Sequence, residues 1–166
     1  MNGGEARLHR EIADAVGGFR GDIFRKVRVA DAIDIRRLSR RNLGTYALQA
    51  HFDICVSDEE GLAAFAVEYD GAGHDPSKDE LKNDIAREAG LALFRIDERL
   101  LERTCGGMTF LQYLVHLWFM AGEFRRAQEL GHIDPSEPFM MSGFLRPDAQ
   151  HIFDSELTCT PPRWHG

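Results

Sequence analysis

From Leu62 to Tyr69 the chain is nearly continuously apolar, and the run ends in acid: Glu68, then Asp70 and Gly71. A run of this kind suits a central strand buried on both faces. Such a strand needs helices above and below it, which points the chain towards an α/β architecture. The preceding stretch, Gln49 to Ser57, alternates instead. Phe52, Ile54 and Val56 fall on one side and His51, Asp53 and Cys55 on the other. Asp58 to Gly61 is polar and ends in glycine, a hairpin-type connection between the two runs.

The rest of the pattern fits around this pair. Leu8, Ile12, Ala15 and Val16 recur at steps of three and four, predicting a helix over Glu5 to Val16 that Gly17 and Gly18 stop. Ile23 to Ile35 reads as a strand that runs on into an irregular segment. Arg36 to Gly44 reads as an exposed loop or a short turn of helix. Gly71 to Ser77 is loop, Asp79 to Ala89 a helix ended by Gly90, and Leu91 to Ile96 a further strand. Thr109 to Leu130 predicts a long helix, apolar in its first half and charged in its second. From Asp134 the chain carries five prolines and little periodicity, an extended tail packed through Phe139, Phe144, Phe153 and Trp164. The expected division is a core over residues 1–103 and a helical, proline-containing extension over 104–166, packed on that core.

Composition narrows the class. With 166 residues the chain is long enough to bury a core without disulfides or a structural metal. The three cysteines, Cys55, Cys105 and Cys159, form no Cys-x-x-Cys pair, which excludes a zinc ribbon and suits a reducing compartment. Met1 to Arg10 is polar and does not read as a signal peptide. The longest apolar stretch, Phe110 to Ala121, is too short for a membrane span and contains Gln112 and His116. The expectation is a cytoplasmic protein with no membrane partner.

The chemistry concentrates between Asp53 and Lys82. Residues two apart on a strand share a face, so Glu68 and Asp70 point the same way. A hairpin about residues 58 to 61 brings Asp53 near Glu68 across the ladder, within cross-strand reach on the order of 5 Å. Carboxylates held together demand a cation or a raised pKa. A hard cation such as Mg²⁺ or Mn²⁺ takes oxygen ligands. Bound there, it lowers the pKa of a water and stabilises charge on a phosphate, the arrangement for phosphodiester hydrolysis. His74, four residues beyond Asp70, can reach the same site as a proton shuttle or substrate contact. Asp79 and Lys82, three apart, share a helix face, and Lys82 can turn its ammonium to the acids. Two acids before a glycine also suit a plain polar turn, a loop histidine also suits the surface, and a lysine early in a helix also suits solvent.

Two stretches, "HFDICVSDEEGLAAFAVEYDGAGH" and "KDELKNDIAREAGLALFRID", resemble the restriction-endonuclease-like superfamily with its PD-(D/E)xK nuclease core. Within it they resemble the domain-of-unknown-function 2726 family, which has relatives among the very-short-patch repair endonucleases. The matching pieces are "VRVADAI" at Val27 to Ile33, Phe52-Asp53, Val67-Glu68-Tyr69-Asp70-Gly71 with His74, Lys78-Asp79 with Lys82, and Arg95-Ile96, within roughly Glu5 to Asp97. The resemblance implies an αβββαβ core with a mixed central sheet, to which this chain adds a C-terminal helix and extended tail. It implies a metal-dependent DNA endonuclease, in DNA repair or in defence against phage and mobile elements, with Mg²⁺ or Mn²⁺ held by Asp53 and Glu68, assisted by Asp70. The Tyr69 carbonyl is a further implied ligand, and Glu5 an acidic position that completes such sites. His74 matches the family histidine. Where the superfamily carries its catalytic lysine this chain has Asp70, as the family itself has an acid, and Lys82 is the candidate for a migrated replacement. Homodimerisation, common among nucleases of this fold, is one expected assembly.

The net charge of −7 argues against a protein that coats nucleic acid through bulk positive charge. Between residues 20 and 41, however, eight basic residues face three acids, a local +5. Arg25, Lys26, Arg28, Arg36, Arg37, Arg40 and Arg41 are the candidate DNA contacts. Two other classes stay open: a non-catalytic nucleic-acid-binding or interaction module that keeps the nuclease fold, and a chain that acts only through protein contacts.

Overall fold

Every apolar position picked out by helical spacing near the start of the chain is buried: Leu8, Ile12, Ala15 and Val16 line the inner face of α1 (Gly3–Val16). The computed structural model describes residues 3–71, 76–105 and 107–139. After α1 come β1 (Ile23–Arg28), α2 (Val29–Ala32), a 3-10 turn (Ile35–Arg37) and α3 (Arg41–Ala47). Then follow β2 (His51–Ser57), β3 (Ala63–Asp70), α4 (Pro76–Ala89), β4 (Ala92–Asp97) and α5 (Glu98–Glu102). A two-residue ladder, β5 (Thr104–Cys105) with β6 (Met108–Thr109), leads into α6 (Phe110–Glu129).

Strands β1 to β4 form one sheet in chain order. β1, β2 and β3 are antiparallel neighbours, while β4 lies parallel to β3. A parallel pair needs a crossover, and α4 supplies it. β3 is therefore flanked on both sides. Its side chains divide between two cores by the two-residue period of a strand: Phe65 and Val67 join Leu8, Ile12, Leu111 and Val115 of α1 and α6, whereas Ala66 joins Val29, Leu43, Ala47 and Ile85 of α2, α3 and α4. The architecture is mixed α/β, with helices on both faces of a four-stranded mixed sheet. The β2–β3 turn is closed by Asp58, whose Oδ1 accepts from the Glu60 and Leu62 N–H groups at 3.1 and 2.9 Å. Gly61 there has φ +78°, a conformation that glycine alone adopts cheaply.

Three segments differ from the expectation. β1 ends at Arg28: the Val29 N–H makes a last in-register bond to the Ala50 carbonyl at 2.9 Å, and the chain then coils into α2, which buries Val29. Of the two readings of the arginine-rich stretch, loop or a short turn of helix, the helical one holds in part and extends further, as the 3-10 turn and then α3 to Ala47, pinned by burial of Leu43 and Ala47. No sequence pattern predicts α5 or the β5–β6 ladder. The long helix fits closely: Thr109 caps α6, accepting from the Gln112 N–H, and the Gln112 side chain returns a bond to the Thr109 N–H. The start of the tail is tied back to α6, where Gln128 Nε2 donates to the carbonyls of Asp134, Pro135 and Glu137 and the Phe139 ring lies 5.4 Å from that of Phe124. Phe144, Phe153 and Trp164 lie outside the described residues.

Since Leu111 of α6 is fully buried in the α1 core, the extension contributes to that core. Leu111→Ala is expected to lower the unfolding free energy by about 2–5 kcal/mol. Urea unfolding followed by circular dichroism measures it, and a change well under 1 kcal/mol would show that α6 packs only loosely on the sheet.

Candidate functional site

At one end of the sheet β2 and β3 stop pairing. The last pair towards that end is Ile54 with Val67, and the next residues outward are Asp53 and Glu68. Beyond it the Tyr69 N–H donates to Asp53 Oδ2 at 2.9 Å, so a side chain takes the place of a ladder acceptor. This fixes the Asp53 carboxylate at the mouth of the gap. Its other oxygen, Oδ1, accepts from the Lys26 ammonium on β1. The β1–β2 register puts Lys26 across from Asp53, between the pairs Arg25 with Ile54 and Val27 with Phe52. Lys26 has φ +49° and is the one non-glycine with positive φ among the described residues.

Glu68 is only 4% exposed. Its Oε2 accepts from the Lys82 ammonium at 2.7 Å, delivered from α4 by a side chain that is 14% exposed. Its Oε1 has no partner. Among the described residues one other buried side-chain oxygen shares that condition, Oε2 of Glu11 on α1, whose Oε1 takes Arg7. Burial, the largest influence, pushes the Glu68 carboxyl above the usual glutamate range. Lys82 pulls it back, and the nearby charge of Asp53 adds to the push. For Lys26, partial burial works downward, but Asp53 and Glu5 outweigh it and hold the ammonium above the usual lysine range.

Arg95 organises the adjoining ground. It pairs across the parallel ladder with Glu68 and sends its guanidinium to Asp70 Oδ1 at 3.1 Å, Asp79 Oδ1 at 2.9 Å and Asn83 Oδ1 at 3.1 Å. The start of α4 is thereby tied to β4, and Asp70 is turned to Arg95. Glu5 Oε1 stands 3.4 Å from the Lys26 ammonium. The start of α1 presses on the site through Gly4, where a Cβ would sit 2.3 Å from the Tyr69 ring.

The structure thus brings Asp53, Glu68 and Lys82 together, with Glu5 linked to them through Lys26. It does not add Asp70, and among the described residues no three His, Cys, Asp or Glu side chains gather closely enough to hold a metal ion. His74 lies outside the described residues. Of the arginines expected to contact DNA, Arg28 pairs with Asp31 at 2.8 Å, Arg36 with Asp34 at 2.8 Å and Arg40 with Asp84 at 2.5 Å. Arg25, Arg37 and Arg41 are exposed. Sequence reasoning missed two roles. Counting charge groups Lys26 with the arginines, although it pairs with Asp53 and Glu5. The sequence shows Arg95 only as part of a strand motif, although it fixes Asp70 and α4. The strand register carries the first signal and the position of β4 beside β3 the second.

Residues 1–104 match the family described as Protein of unknown function (DUF2726). No curated protein and no solved structure matches the chain.

Removing one partner of a buried ion pair leaves the other charge uncompensated. Lys82→Met is therefore expected to destabilise the protein at pH 7 by about 3–5 kcal/mol. Because the native Glu68 pKa is raised, the folded chain holds a proton there that the unfolded chain gives up. Stability contributed by that proton is full below the ordinary value of 4.5 and is lost as pH rises through the native value. The Lys82→Met deficit should shrink on acidification and nearly vanish in the Lys82→Met/Glu68→Gln double variant. Urea unfolding from pH 4 to 8 reads both; a deficit independent of pH would mean that Lys82 acts through packing.

Proposed function

Since the chain belongs to the DUF2726 family, we propose that the Asp53–Glu68 gap is the catalytic centre of a divalent-metal-dependent DNA endonuclease with a restriction-endonuclease-like core. The observation that carries this reading is the unpartnered, fully buried Glu68 Oε1. A buried carboxylate oxygen without a donor is costly, and a hard cation satisfies it while tolerating an all-oxygen site. The donor chemistry fits: Asp53 and Glu68 offer carboxylates on adjacent strands, and the Tyr69 carbonyl lies next in the chain. These residues would hold Mg²⁺ or Mn²⁺, and the cation would acidify a water and stabilise charge on the phosphate.

The chain's own groups have distinct tasks. The Tyr69 N–H aims Asp53 and the Lys82 ammonium aims Glu68, so neither carboxylate needs to reorganise on binding. In this reading Lys82, which reaches Glu68 Oε2 from the helix while Arg95 holds Asp70, takes the part of the superfamily's motif lysine. The basic segment would meet phosphate through Arg25, Arg28, Arg36, Arg37, Arg40 and Arg41, with the strand exchanged for the aspartate partners of Arg28, Arg36 and Arg40.

A second reading has its own observation. Asp53 and Glu68 each already carry an ammonium, a neutralised set that suits a non-catalytic binding module of the same fold.

Incubation with supercoiled plasmid and Mg²⁺ or Mn²⁺ separates the two. Cleavage by the wild type is expected, with none by Asp53→Ala or Glu68→Ala and a loss of about 100-fold or more in Lys82→Ala. No cleavage by wild type, together with metal-independent, salt-dependent DNA binding unaffected by Glu68→Ala, would give the answer to the binding module.

A further inference from the structure

We infer that Lys26 is a built-in, exchangeable counter-ion that occupies the Asp53 position of the site and leaves it when a divalent cation arrives. The inference rests on the metal reading above and deepens it by naming what the cation must displace. Asp53 has one oxygen committed to the Tyr69 N–H and the other to the Lys26 ammonium, so a cation reaching Asp53 Oδ1 meets Lys26 first.

The two ammonium groups of the site differ in the property that decides exchange. Lys82 is 14% exposed and spans from α4 to a buried carboxylate. If it moved away it would leave Glu68 uncompensated. Lys26 is 54% exposed on the edge strand, with open solvent to swing into and Glu5 Oε1 already 3.4 Å from its nitrogen. Its release leaves Asp53 for the cation and keeps the charge tethered beside the site, against Glu5. The backbone also favours this placement. A lysine at φ +49° in a strand is a strained conformation, and strained residues gather where a side chain must be aimed.

Two positive charges competing for one carboxylate make metal affinity depend on Lys26. Titration of Mn²⁺ into the full chain by calorimetry tests this. Lys26→Met and Lys26→Gln remove the competitor and are expected to bind Mn²⁺ about tenfold more tightly than wild type. Lys26→Arg keeps the charge and is expected to bind within about twofold of wild type. Arg28→Met removes an equal charge two residues along without touching Asp53, and is expected to change the affinity by less than about twofold. Equal affinity in wild type and both neutral Lys26 variants would overturn the exchange while leaving the metal reading intact. An equal gain in Arg28→Met would overturn it too, showing only a general field. No Mn²⁺ binding by any variant would overturn both.

Discussion

A carboxylate that is 4% exposed at the end of a central strand is the constraint to which the surrounding structure answers. Charging Glu68 there costs free energy unless a cation stands against it. Lys82 meets that demand, and it can do so only if α4 crosses the sheet at one height and one rotation. Arg95 sets both: it grips Asp79 in the first turn of α4 and Asn83 a turn later, while standing beside Glu68 in the β3–β4 ladder. The apolar side of the same helix is fixed by Ile85 in the second core. The polar pair and the hydrophobic contact therefore agree on one helix position, which is how a buried ion pair contributes to specificity as well as bearing its desolvation cost.

The neighbouring carboxylate follows from the same end of the sheet. Asp53 can sit beside Glu68 only because β2 and β3 cease pairing after Ile54 and Val67, leaving the Tyr69 N–H for a side chain. Its charge raises the cost of ionising Glu68, and Lys26 from β1 answers it. Two acids on adjacent strands are thus held by two ammonium groups from elements on either side.

What could be read from the residues depended on how far apart the interacting parts lie in the chain. α1 is legible because its burial is written in local period, and β3 and α6 because each carries a local apolar run. The hairpin puts Asp53 near Glu68, but counting from a loop at residues 58 to 61 sets Asp53 against Ala66; the observed pairing, with its register shift between Val56 and Ser57, carries it to Glu68. The place of Lys26 is not legible. Its register with Asp53 is set across the segment holding α2 and α3, whose path depends on Val29, Leu43 and Ala47 meeting in a core assembled from five elements. Composition counted its charge but not its partner. The alternation that put Asp70 on the face of Glu68 was sound, yet Arg95 claims it from β4, and β4 reaches β3 only after the α4 crossover. Two-residue strands such as β5 and β6 carry no period at all.

The charge of the chain takes on a different meaning once the partners are known. The local excess between residues 20 and 41 looked like a field for phosphate, but Arg28, Arg36 and Arg40 face aspartates and Lys26 faces the site. Contact with a phosphate backbone at those arginines exchanges one anion for another, and the displaced aspartates then repel the incoming strand. The arginines alone therefore give a weak footing for DNA. The Asp53–Glu68–Lys26–Lys82 set is formally neutral, two carboxylates against two ammonium groups. Under the proposed reading a divalent cation entering that set makes it positive without removing any charge of the chain. Attraction for phosphate then arises at the site itself, and the arginines serve to orient a strand that the site has already drawn in.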